Sequence, residues 1–233
     1  MESSRRRHGG RPAVVSTAEI VRAGRALGMR RLGVNAVAVE LGVSATALYR
    51  HIEGRWELER LVGESLLADL VLHDDPDQDV EHHLVSFAGQ LRSFLLAHPG
   101  LAGYLQVLFP RGESGMRLLA HEMAALERRG YSTDAAIVLA SAVASLVTWS
   151  AIAEERESDV DEAGYQRERE AVVKMLLDDA RLGPAHLRLP SVTGGEFSRL
   201  LLIAEIRGLL TVAPPGRSVH EIVADLDASG DPW

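Results

Sequence analysis

The sequence predicts an all-α protein, with an N-terminal three-helix helix-turn-helix domain joined by a fourth helix to a larger C-terminal helical domain. Three observations carry this. Apolar residues recur at helical spacing in run after run, and Gly and Pro fall between the runs instead of inside them. Aromatic residues make up only 5% of the 233, while Ala, Leu and Val are abundant, a composition suited to helices packed on helices. Cysteine is absent, which excludes a disulfide framework and a thiolate metal site.

Residues 1–15 are charged and aperiodic and read as a flexible basic arm. Its Arg5, Arg6, Arg7 and Arg11 fit two readings equally, a tail in solvent or an arm along a phosphate backbone. Ser16 with Glu19 forms a capping-box pattern, opening a helix to about Leu27 with Ile20, Ala23, Ala26 and Leu27 on one face. A short helix over Val34–Leu41 turns Val37, Ala38 and Leu41 inward. Gly42-Val43-Ser44 makes a tight turn, with Val43 plugging the core and Ser44 capping a third helix that buries Leu48 and Ile52. A fourth helix is expected from Arg55 to Leu72. These elements place the helix-turn-helix domain at 16–62.

His73–Asp79 reads as an acidic turn, and the second domain spans 63–215. Its helical patterns are Val80–Ala97, Leu101–Phe109, Ser114–Arg129, Thr133–Glu155, Asp159–Asp179 and Glu196–Val212, with Leu182–Gly195 read as a loop. Residues 216–233 form a tail in which Val219–Leu226 makes a turn or two of amphipathic helix. Ala135–Ala153 is nearly free of charge, but Ser141, Ser145, Thr148 and Ser150 mark it as a bundle helix instead of a membrane span. No apolar run follows the Arg-rich start, so no secretory leader, no membrane and a cytoplasmic location are expected.

Net charge is −8 and unevenly spread. Residues 1–60 carry eleven arginines against six carboxylates, so +5 sits there and −13 in the remainder. A basic module on an acidic body suits a DNA reader. Lys174 is the single lysine.

Glu40-Leu41-Gly42-Val43-Ser44, Ala47-Leu48-Tyr49, His51, Arg55 and Leu58 carry a resemblance to the TetR family of one-component transcriptional regulators. Looser agreement follows at His98-Pro99, Leu126–Ser132 and Ile203–Leu210, most like the tetracycline-repressor branch. Ile52 stands where the family carries an aromatic, Arg55 where it carries Lys, and Gly33 where a Ser or Thr cap is common. The resemblance implies a regulator, most simply a ligand-released repressor, that binds a palindromic double-stranded DNA operator as a homodimer. It also implies that the second domain serves ligand binding and dimerisation.

On that reading, Tyr49 and His51 hydrogen-bond backbone phosphates, and Arg55 adds a charge-assisted contact. Ser44, Ala45, Thr46, Ala47 and Arg50 complete the DNA-facing set, with Arg50 the candidate for bidentate contact with guanine. A phosphate-facing or solvated Arg50 fits equally, and a core tyrosine is the plain alternative for Tyr49. Two recognition helices in a dimer should lie about 34–36 Å apart. The interface is expected from Thr133–Glu155, with its small residues Ala140, Ser141, Ala144 and Ser145, and from Glu196–Val212, with Phe197, Leu201, Ala204 and Gly208.

Helices from Val80 to Ala153 are expected to enclose a small-molecule pocket whose occupancy moves the fourth helix and lowers DNA affinity. The candidate lining is His83, Phe87, Gln90, Tyr104, Leu105, Leu108, Met116, Met123 and Trp149, with ordinary core packing the alternative for each. Tetracycline-binding members hold a metal–drug complex with polar residues where this chain has Leu105–Phe109. Neither tetracycline nor magnesium is therefore expected, but a hydrophobic effector or none.

No cofactor, metal or enzymatic activity is expected. Adjacent His82 and His83 point about 100° apart on a helix and do not make the i, i+4 pair of a zinc helix. Nucleophile-elbow, phosphate-loop and dinucleotide motifs are missing. The competing class is a helical small-molecule sensor or enzyme that retains a vestigial helix-turn-helix.

Overall fold

The computed structural model describes residues 15–158 and 161–228; the predicted arm, save Val15, lies outside them. Among the described residues all regular structure is helical. The chain divides into two compact units, Met1–Asp69 and Leu70–Trp233.

In the first unit, α1 (Thr17–Leu27) starts at a complete capping box: Ser16 Oγ accepts the Glu19 N–H, and the Glu19 carboxylate accepts the Ser16 N–H. Its buried face is Ile20, Ala23 and Gly24, whereas Ala26 is exposed. Gly24 replaces Ala26 there because α1 packs on α4 (Arg55–Leu67) closely enough that a Cβ on Gly24 would stand 2.4 Å from Val62 Cγ2. A single 3₁₀ turn, Met29–Arg31, precedes buried Leu32. Next come α2 (Val34–Glu40), which buries Val37 and Ala38 and has no side-chain cap at Gly33, and α3 (Ala45–Leu48).

The fourth helix stops at Leu67, short of the expected Leu72. Leu70 and Leu72 are both buried; two positions apart, they share a face on extended chain but not on a helix. Arg25 of α1 ties down the end of α4 by donating to the Ser65 carbonyl and pairing with Asp69. The first unit therefore runs to Asp69, beyond the expected boundary at 62, because Leu58, Val62, Leu66 and Leu67 of α4 are buried.

The second unit is built around α8 (Thr133–Ser158), against which α5 (Val80–Ala97), α6 (Leu101–Val107), α7 (Glu113–Arg128) and α11 (Gly194–Val212) pack. Ala136, Leu139, Ala140, Val143, Val147 and Ala151 recur along α8 at steps of three and four, and all are buried. The helix is long and apolar enough to cross a membrane, with mean hydropathy 2.0 over an 18-residue window within Thr133–Arg156. Here its apolar face forms the middle of a helical core. The Thr148 hydroxyl, buried on that face, donates to the Ala144 carbonyl at 2.7 Å.

Polar clamps hold the remaining elements. Arg92 of α5 pairs with Glu154, the Gly100 N–H donates to Glu155 Oε2 at 2.9 Å, and Arg207 of α11 pairs with Glu81 at 2.8 Å. The Tyr131 hydroxyl donates to the Ala213 carbonyl at 3.0 Å.

The expected loop Leu182–Gly195 contains a helix, α10 (Leu182–His186), packed on α9 (Glu162–Asp178). Gly183 permits it: a Cβ there would lie 2.5 Å from the Leu177 carbonyl oxygen. Tyr165, Met175 and Leu177 of α9 are exposed, as is Lys174, and so are Leu187 and Leu189 just past α10. A capping box at Thr193 and Glu196 starts α11 two residues before the expected Glu196, and α12 (Val219–Ala228) follows.

Candidate nucleic-acid interface and a buried ionic cluster

The turn between α2 and α3 is made by Gly42 at φ 66°, a backbone conformation that costs a glycine little. The Val43 N–H returns to the Ala38 carbonyl at 3.0 Å, and Ser44 Oγ accepts the Ala47 N–H at 3.3 Å. Leu48 and Ile52 are buried at 0% and 2% exposure. Regular α-helix covers only Ala45–Leu48, and the chain continues to Ile52 in tighter turns, with the His51 N–H donating to the Leu48 carbonyl at 2.8 Å.

Anchoring Leu48 and Ile52 fixes what faces outward. Ser44, Thr46, Tyr49 and Arg50 are exposed, while Ala45, Ala47 and His51 are half-buried. Tyr49 is 57% exposed, which sets it apart from a core tyrosine. Arg55, at the first position of α4, is exposed and pairs with Glu59 one turn on, at 2.6 Å. The Glu53 N–H donates to Glu57 at 2.6 Å and closes the turn before α4. Sequence reasoning passed over Trp56, 60% exposed beside Arg55, and Val39, 82% exposed on α2. The signal for both was available, since each falls out of phase with the buried apolar positions of its helix.

In the second unit the nine expected pocket residues fall into different surroundings. Phe87 and Tyr104 are buried, and the Arg111 guanidinium lies 4.7 Å above the Tyr104 ring. Leu105 and Met123 are half-buried, whereas Leu108, Met116 and Trp149 are exposed. Gln90 is spent on the chain itself: its amide bonds the His73 N–H and carbonyl at 2.8 and 2.9 Å.

His83 belongs to a buried ionic cluster. Its Nδ1 lies 2.9 Å from Asp74 Oδ1 and its Nε2 2.8 Å from Glu122 Oε1. Asp74 also accepts from Arg129 at 2.7 Å and from Arg128 at 2.5 Å. Arg129 donates further to the carbonyls of Asp75, Gln78 and Ala125. The expected acidic turn 73–79 is thus a strap fastened to α5 by His83 and Gln90, and to α7 by Arg128 and Arg129. Burial, the largest single influence on Asp74, pushes its carboxyl up. The bonds from Arg129 and Arg128, with the charges of Arg129 and His83, outweigh it and bring the pKa down to about 2. Composition held a hint of this cluster in the acidic run 73–79 and the Arg128-Arg129 pair, but their meeting depends on a separation of more than fifty residues.

Among the described residues no group of three His, Asp or Glu side chains is placed to hold a metal ion. An open recess of about 450 Å³ runs along α9, lined by Gln166, Arg169, Val173, Lys174 and Leu177 among others.

Comparison with known proteins gives concordant relatives. Residues 73–193 match the family described as tetracyclin repressor-like, C-terminal domain. A stretch of 137 residues, 59% of the chain, is 26% identical to an HTH-type transcriptional regulator of Saccharopolyspora erythraea and spans 58% of that protein's length. Among solved structures, ActR from Streptomyces coelicolor in complex with actinorhodin aligns over 88% of this chain and 100% of its own, with TM-score 0.72 and 25% identity. Apo ActR aligns over 87% and 100%, with TM-score 0.71 and 22% identity. TetR from Acinetobacter baumannii covers 85% and 98%, with TM-score 0.59 and 18% identity.

Proposed function

Since the chain belongs to the tetracycline-repressor-like family of transcriptional regulators, we propose that it is a cytoplasmic repressor that binds a palindromic operator as a homodimer and leaves it on taking up a small hydrophobic molecule. One observation supports this above the rest. Ser44 caps α3 and buried Leu48 and Ile52 anchor it, so that Thr46, Tyr49 and Arg50 stand outward on a rigid edge. Such an edge fits a major groove. Tyr49, His51 and Arg55 then hold phosphates and set register, and Arg50 reads a base alongside Ala45, Thr46 and Ala47. The pairing of Arg55 with Glu59 presents the guanidinium in one orientation and moderates its charge.

Effector binding is supported by the helical body and by the ActR–actinorhodin complex, a relative with a bound small molecule. Ligand and operator affinities in such a protein are reciprocally coupled. The buried aromatic rings of Phe87 and Tyr104 are the natural centre for a hydrophobic effector.

The test is fluorescence anisotropy of the full-length protein on DNA from its own upstream region, titrated with salt. Specific binding should weaken steeply as salt rises. Arg50→Ala should cost about 1–3 kcal/mol and relax preference at one base pair, whereas Tyr49→Phe should weaken all sequences alike. Unchanged binding in both variants would show that α3 is not the reading element.

A further inference from the structure

Both ring nitrogens of His83 face carboxylate oxygens, at 2.9 and 2.8 Å, and the His83, Asp74 and Glu122 side chains are 3%, 7% and 3% exposed. A neutral imidazole carries one N–H and can donate to only one of them. The other contact would then set a nitrogen lone pair against an oxygen lone pair in a site with little water to screen it. Closing both contacts takes one proton beyond those of a neutral imidazole and two carboxylates. Asp74 is a poor place for it, because its two oxygens already accept from Arg129 and Arg128. The proton sits on the ring, as imidazolium, or is shared with Glu122.

We propose that this proton is a latch: while bound, it lets His83 join α5, α7 and the strap 73–79, and its loss releases the strap. The direction follows from which partner has other donors. Asp74 keeps two arginines when the ring turns neutral, whereas the bond from His83 is the one Glu122 makes in the cluster. A buried carboxylate without a donor is costly. The remaining proton therefore stays on Nε2 facing Glu122, and the bare Nδ1 repels Asp74 Oδ1. Loosening falls on the strap while α5 and α7 stay joined.

Of the other ionisable groups on α5, His82 pairs at 2.8 Å with Asp79, the last residue of the strap and the cap of α5. Glu81 is paired with Arg207 of α11, and Arg92 with Glu154 of α8. His73, Asp75 and Asp77 are the further ionisable groups of the strap itself. Within the strap, Gln78 Oε1 is buried without a hydrogen-bond partner among the described residues, as is His121 Nε2 of α7. None of this depends on the DNA or effector reading.

The experiment uses the full chain, labelled with ¹⁵N. Imidazole nitrogen spectra, assigned against His83→Gln, report the ring's protons, and amide exchange corrected for intrinsic rates reports the strap. His83 should carry protons on both nitrogens while the strap is closed, and raising the pH should remove the one on Nδ1. Over the same interval, amides in 73–79 should exchange at least about tenfold faster, with the interior of α8 unchanged. Glu122→Gln removes the need for the extra proton, because its amide donates to Nε2 while Nδ1–H donates to Asp74. Its strap should stay protected throughout. A singly protonated ring in the closed strap, or a strap whose exchange ignores the ring's protonation, overturns the latch. So does a Glu122→Gln protein that keeps the wild-type pH dependence. If that variant does not fold, the wild-type spectra and exchange decide alone.

Discussion

Arg128 and Arg129 are neighbours in sequence and share Asp74, yet their side chains are 53% and 8% exposed. Arg128 makes an ion pair at the surface, where water competes for both charges. Arg129, whose side chain is buried, also donates to the carbonyls of Gln78, Ala125 and Asp75. Replacing each by Met should give unequal results in chemical denaturation: about 3–5 kcal/mol lost for Arg129, where a buried carboxylate is left short of a partner, and no more than about 1 kcal/mol for Arg128. Equal losses would place the anchoring elsewhere. Asp74 adds an acid limb. Its carboxyl is depressed in the folded protein to about 2, so its contribution is full above the ordinary carboxylate range and is lost as pH falls toward about 2. That contribution is about 2 kcal/mol at neutrality, and Asp74→Asn should remove this part of the acid sensitivity. Sequence periodicity marks His83 as inward-facing, but not what it faces. Its partners lie 9 and 39 positions away, and period alone does not pair charges across elements.

Among the elements, boundaries written in local chemistry were legible. The Ser16–Glu19 box and Gly42-Val43-Ser44 are short-range hydrogen-bond and backbone devices, and the structure forms them as read. Boundaries that depend on neighbours were not, as α10 and the early end of α4 illustrate. Gly24 is the sharpest case, since nothing in α1 itself distinguishes a glycine of close packing from a weak helix position. Gly24→Ala gains about 1 kcal/mol of helix propensity, but its methyl group would stand 2.4 Å from Val62 Cγ2 and 3.2 Å from Leu32 Cδ1. Net destabilisation of the first unit by about 1–3 kcal/mol is expected, read as faster amide exchange over residues 17–67. Adding Val62→Ala should recover part of the loss, and a Gly24→Ala protein as stable as wild type would refute the close approach.

On the scale of the whole molecule, the polarity of charge was legible from counting alone: +5 in the first sixty residues on a chain of −8. The effector site was not, because a pocket is a relation among helices. Candidates chosen by residue type fall in the interior, in an ionic cluster and on the surface alike. Homodimerisation is argued at this scale too. Phe197 and Leu201 of α11 are 54% and 46% exposed, and Val138 of α8 is 53% exposed; burying them against a second copy removes apolar area from water. Light scattering should give twice 25.3 kDa, and the pair Phe197→Asp and Leu201→Asp should give monomers with weakened operator binding. A variant that remains dimeric moves the interface off α11.

Lys174 has a practical corollary. It is the single lysine of the chain and lies exposed on α9, so it is the one ε-amine that a succinimidyl ester meets. The native protein therefore carries its own attachment point. A spin label or dye placed there without mutagenesis reports from α9, and in a dimer the two labels form a molecular ruler whose length changes if effector or operator moves that helix.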